Sequence, residues 1–135
     1  MAGPSEQLSD RVLWLVGIQA ALLSAAAHLL WLLSSSAGVS DIRVPLFSAA
    51  IVVLVAGSAA LFRGYSHRRL YSLLIGTLAA LLVGFIMWEG TATVAALAAE
   101  PLAAIAWVGE IVGIVAFGVL YRRSHPDRAA DNGPS

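Results

Sequence analysis

The sequence predicts an all-α fold: a polytopic membrane protein built as a four-helix transmembrane bundle. Three observations predict it. The 135 residues are 59% apolar and only 12% charged, half the roughly 25% charge of an ordinary soluble domain. Mean hydropathy is +0.84. Four stretches each approach the roughly 20 apolar residues needed to cross a hydrocarbon core about 30 Å thick. The composition also excludes functions. Eight Arg balance eight Asp plus Glu, so no basic surface exists for nucleic acid. With no Cys, disulfide exchange, thiolate catalysis and Cys-ligated metal are excluded.

The spans fall at about 12–33, 44–62, 70–88 and 102–121, with polar tails at 1–11 and 122–135. The first is free of charge and dense in Leu, Ala, Val and Trp. Its Ser24-Ala25-Ala26-Ala27 stretch has the small residues of a signal-peptide cleavage site. The apolar run nevertheless continues through Leu29-Leu30-Trp31-Leu32-Leu33, so the span reads as a retained helix. The second and third are uncharged, and the fourth is apolar apart from Glu110. Pro45 and Pro101 sit at span starts, where the first-turn N–H groups lack helical partners anyway. Asp41 and Glu100 precede them, where negative charge meets the positive end of the helix dipole. The Ala- and Thr-rich segment 89–101 predicts a short helix on the outer surface.

Orientation follows from the basic residues, all of them Arg. Arg11, then Arg63, Arg68 and Arg69, then Arg122, Arg123 and Arg128 flank one side. Arg43 stands alone on the other. By the positive-inside rule both termini and the 63–69 loop are cytoplasmic in the cell membrane. Arg63, Arg68, Arg69, Arg122 and Arg123 are expected to serve as topology anchors among anionic lipid headgroups. Trp31 and Trp88 mark outer span ends, and Trp14, Tyr65, Tyr71 and Tyr121 inner ends, as in interfacial aromatic belts.

Helices in lipid associate through small residues that let backbones approach. The third span carries Gly76, Ala80 and Gly84 at four-residue spacing, and the fourth Gly109-x-x-x-Gly113. The first offers Gly17, Ala21 and Ser24 with His28 on the same face, and the second Ala56 and Ala60. These rows suit a compact bundle or association with a second copy or a larger membrane complex.

Few residues inside the spans can carry chemistry. Glu110 lies about eight residues into the fourth span, where an ionised carboxylate costs on the order of 2.5–3.5 kcal/mol and such residues face other helices or a cavity. It is read either as a proton- or cation-handling carboxylate or as a neutral carboxyl bonded to a neighbouring helix. At 1.5 Å per residue, His28 sits roughly 8 Å and Glu110 roughly 12 Å below the outer edge, so the two can meet across the bundle as a proton relay. Glu89 ends the third span on the same side and completes a possible polar cluster with them. Gln19 and Thr77 can bridge helices. His67 and His125 fall in loop and tail. Nothing in the spacing calls for a metal or a cofactor, and no catalytic constellation is evident.

Further short stretches carry a resemblance: His28-Leu29-Leu30 late in the first span, Pro45-Leu46-Phe47 opening the second, Arg68-Arg69-Leu70-Tyr71 opening the third and Leu120-Tyr121-Arg122-Arg123 closing the fourth. Across all four spans the chain resembles the short four-helix membrane proteins of unknown function found in halophilic archaea, loosely DoxX-like. That resemblance implies a fold and a membrane location, and no catalytic residues. The sequence alone thus favours a non-catalytic accessory or scaffolding bundle, with a proton- or ion-coupled transporter working as a homo-oligomer as the alternative.

Overall fold

The computed structural model describes residues 3–65 and 67–124, and its regular structure there is helical. Helix α1 spans Pro4–Ser34, α2 Arg43–Phe62, α3 Arg68–Glu89, α4 Thr93–Ala99 and α5 Pro101–Arg123. A single 3-10 turn, Gly90–Ala92, joins α3 to α4. Four segments are long and apolar enough to cross a membrane: Pro4–Ser34, Arg43–Phe62, Arg68–Ala99 and Pro101–Arg123.

The element ends follow from local chemistry. Pro45 lies in the first turn of α2, and Pro101 is the first residue of α5. Gly64, at φ +97°, closes α2: its N–H bonds to the Leu61 carbonyl, and Tyr65 N–H to that of Ala60. A residue with a Cβ would resist that left-handed conformation. Gly90, also at positive φ (+58°), ends α3 with its N–H bonded to the Ile86 carbonyl.

The structure adds secondary structure at one boundary. Residues 4–11, expected as a polar tail, are helical and continue α1. Pro4 presets the first turn. Ser9 and Asp10 then reach Arg123 at the end of α5, by a 3.3 Å hydrogen bond and an ion pair respectively. At the other tail, Arg122 and Arg123 belong to α5. His125 and Arg128 lie outside the described residues.

The long helices form a ring in which α1 packs on α2 and α5, and α3 on α2 and α5. Neighbours run antiparallel. Trp14 near the start of α1 stacks on Phe62 at the end of α2 at 5.9 Å, and Arg68 at the start of α3 lies over Tyr121 near the end of α5 at 4.2 Å. One end of the bundle, the tail end, holds Pro4, the turn after Phe62 and Arg123. The other, the loop end, holds the segment after Ser34 and α4. The core is filled by Leu54, Leu61, Leu74, Leu78 and Phe117. Tyr71, expected in an interfacial belt, is buried and lies 6.1 Å from Phe117 instead. Its position one turn into α3 faces α5, and burying the ring there fills space that a belt position would leave empty.

The closest seam joins α1 to α5. A Cβ added at Gly109 would stand 3.1 Å from the Ala20 carbonyl oxygen, and one at Gly17 2.6 Å from the Phe117 ring. At Gly113 it would meet Leu78 at 2.7 Å. In α2 the close approach is made by Gly57, where an added Cβ would reach Leu74 at 2.7 Å, while Ala56 beside it is exposed. Gly76, Ala80 and Gly84 are exposed, and nothing lies within 4 Å of where a Cβ would be at either glycine.

Candidate functional site

Ser24, Ser58 and Glu110 are the buried polar side chains among the described residues. Two of them meet at the α1–α5 seam. The Gly109 and Gly113 rows bring α5 against α1 closely enough that Glu110, 2% exposed, faces Ser24 and His28. Ser24 and His28 are four residues apart and so share a face of α1. The Ser24 hydroxyl donates to Glu110 Oε1 at 3.3 Å, and His28 Nε2 lies 3.8 Å from the same oxygen. The expected His28–Glu110 juxtaposition is therefore present.

The imidazole is oriented by its other nitrogen. His28 Nδ1 lies 2.7 Å from the Ser24 backbone carbonyl. A carbonyl oxygen can only accept, so Nδ1 carries a proton and donates it. In a neutral ring Nε2 is then a bare acceptor turned toward the carboxyl. Two acceptors facing each other repel, and one proton between them resolves the conflict. It sits either on the carboxyl or on Nε2, and the pair is neutral overall in both arrangements. At 3.8 Å the contact is longer than a direct hydrogen bond. Proton transfer across it would require a closure of about 1 Å or one bridging water. The second carboxyl oxygen, Oε2, is buried without a hydrogen-bond partner.

Aromatic side chains lead from this pair to the loop end. The His28 ring stands edge-on to Phe47 at 4.6 Å, and Phe47 to Trp31 at 5.2 Å. Above them the Arg43 guanidinium lies between Trp31, at 4.6 Å, and Trp88, at 4.5 Å. Asp41 grips Arg43 from the side, with guanidinium contacts of 2.8–3.3 Å. This clamp stands on the loop-end side of Phe47 and His28. Its signals were visible in the sequence as the Asp41-x-Arg43 spacing and the Trp at two span ends, but only folding brings Trp31 and Trp88 to one guanidinium.

Glu89 does not join His28 and Glu110. It lies within Coulombic reach of Arg43, because α3 ends at the loop end beside the clamp rather than turning inward. Among the described residues no group of three His, Cys, Asp or Glu is placed to hold a metal ion. The Thr77 hydroxyl bonds back to the Leu73 carbonyl at 2.8 Å, and Gln19 is exposed, so neither bridges helices here. Arg63 and Arg69 are exposed near the turn after α2, and Arg68 is half-buried beside Tyr121. Trp107 carries a buried indole N–H without a partner, a feature that no local sequence signal singles out.

Comparison with protein-family models, curated proteins and solved structures returned no match.

Proposed function

We propose that the chain is a multi-pass protein of the cell membrane, with both termini cytoplasmic, whose working element is a one-proton site formed by Glu110, His28 and Ser24. In this reading it is a small proton- or ion-coupled transporter. The observation that carries the reading is the facing of a buried carboxyl and an imidazole whose other nitrogen is already committed. Loss of the shared proton leaves one negative charge in the hydrocarbon region, a cost on the order of 2.5–3.5 kcal/mol. A cation or a returning proton relieves it, and that exchange is what couples one flux to another. One 135-residue bundle encloses little volume, so a solute pathway forms between copies.

The test is direct. Purified protein in vesicles is given a membrane potential, and proton entry is followed with an enclosed pH-sensitive dye. Glu110→Gln is expected to fold and insert but to lose the flux. The infrared carboxyl band that titrates in the parent should vanish in the same variant. Undiminished flux in Glu110→Gln overturns the proposal.

A second reading, a non-catalytic accessory or scaffolding subunit, is favoured by the open row of Gly76, Ala80 and Gly84 on α3. It predicts a stoichiometric partner after mild extraction of the tagged protein. Recovery of the chain as a lone monomer would speak against it.

A further inference from the structure

The tail end carries a second feature, unrelated to the proton site. Beneath the turn between α2 and α3 lies an open groove of about 740 Å³, lined by Ala60, Tyr65, Arg68, Arg69 and Leu73, among others. His67 also lines it, and no acidic residue lines the groove among the described residues. Helix α3 starts here without a side-chain cap, so its positive end adds to the field. Arg68 is fixed over the Tyr121 ring, and its buried Nε has no partner. A smaller groove of about 330 Å³ at the same end differs in kind. It is lined by Asp10 as well as Arg11 and Arg123, and Asp10 already neutralises Arg123.

The geometry points to the larger groove as a binding site for an anionic phospholipid. The phosphodiester sits between Arg68 and Arg69 at the start of α3, and an acyl chain runs down the apolar wall of Leu70 and Leu73. Charge and polarity change together along this surface. The basic rim is at the helix end, and the wall below it belongs to two helices apolar enough to cross a membrane. A free anion would use the rim and leave the wall bare. A zwitterionic lipid would use the wall and bring its own cation against the Arg68 and Arg69 guanidinium groups. The site distinguishes Arg68 and Arg69 from Arg63, which lies in the same turn but does not line the groove.

Native mass spectrometry of the full chain in detergent tests this, titrating phosphatidylglycerol against phosphatidylcholine. Retention of phosphatidylglycerol in preference to phosphatidylcholine is expected. The Arg68→Gln, Arg69→Gln double variant should weaken phosphatidylglycerol binding by on the order of tenfold. Arg63→Gln, which removes one charge from the same turn, should leave it intact, whereas the charge-matched Arg69→Gln should weaken it. If the double variant does not fold, Arg69→Gln alone, at an exposed position, is expected to show a partial loss. Equal retention of both lipids, an equal loss in Arg63→Gln, or no loss in any Arg68 or Arg69 variant overturns the assignment. Displacement of the lipid by millimolar inorganic phosphate overturns it in favour of a free-anion site.

Discussion

Asp41 shows how much one side chain settles at the loop end. Its carboxylate accepts hydrogen bonds from the Arg43 guanidinium and from the Arg43 backbone N–H at 2.9 Å. These hold its carboxyl below the usual carboxylate range, the side-chain bonds contributing most. A depressed native value means that the unfolded chain binds the proton more readily. The stabilisation is therefore complete above the ordinary Asp value of about 3.9 and is lost as pH falls through the native one. Melting in detergent followed down from about pH 5 should show an acid limb, and Asp41→Asn should flatten it. An unchanged limb in that variant would assign acid sensitivity to another group. The same reasoning by atoms applies to His28. Fixing Nδ1 on a carbonyl leaves Nε2 free to exchange a proton, whereas an imidazole free to rotate would satisfy itself anywhere. Ser24 contributes twice, through its hydroxyl to Glu110 and through its carbonyl to His28.

At the scale of the element, the α1–α5 seam decides where Glu110 goes. Without a hydrophobic drive between helices in lipid, close packing has to supply the attraction, and glycine allows it. Gly109→Ala pushes a methyl toward the Ala20 carbonyl, a backbone atom that cannot turn aside. Overpacking of this kind costs roughly 1–3 kcal/mol, and it should lower the melting temperature of the monomer. Gly84→Ala has open space and a helix propensity gain of up to about 1 kcal/mol, so it should leave the monomer as stable or more so. If the α3 row joins copies or a partner, Gly84→Ala should instead weaken that association, read by cross-linking or sedimentation in detergent. The pair of variants separates internal from external use of small residues. Arg123 with Asp10 ties the same two helices at the tail end, but both side chains are about 40% exposed. Such a pair contributes no more than about 1 kcal/mol and sets register more than stability.

Across the whole molecule, the ring of antiparallel neighbours is the arrangement that short connections permit. Only the segment from α3 to α5 is long enough to hold an element of its own, and α4 occupies it. The proposed orientation of the bundle rests on the Arg distribution. A cysteine at Tyr65 should resist an impermeant thiol reagent added outside intact cells, and one at Ser36 should react. The reverse pattern would invert the topology. It would also place the proposed lipid groove in the outer leaflet and the clamp over His28 at the cytoplasmic face.

The sequence by itself determined the helical class, the four apolar spans and most of their ends to within a few residues, because hydrocarbon length, proline, glycine and charge act locally. The start of α1, at Pro4 rather than near residue 12, was the exception. It determined that Glu110 and His28 sit at similar depth, because depth along a straight helix is a matter of counting. Azimuth was decided only by tertiary structure. Four helices rich in Ala, Leu and Gly all round carry little amphipathic signal, so nothing local said which Gly row would turn inward. Gly109 and Gly113 did, and Gly76 and Gly84 did not. The same freedom moved Glu89 away from Glu110 to the neighbourhood of Arg43, and carried Tyr71 into the core. Helix rotation in an apolar bundle is fixed by the summed fit of many small contacts, each too weak to be read from any one residue.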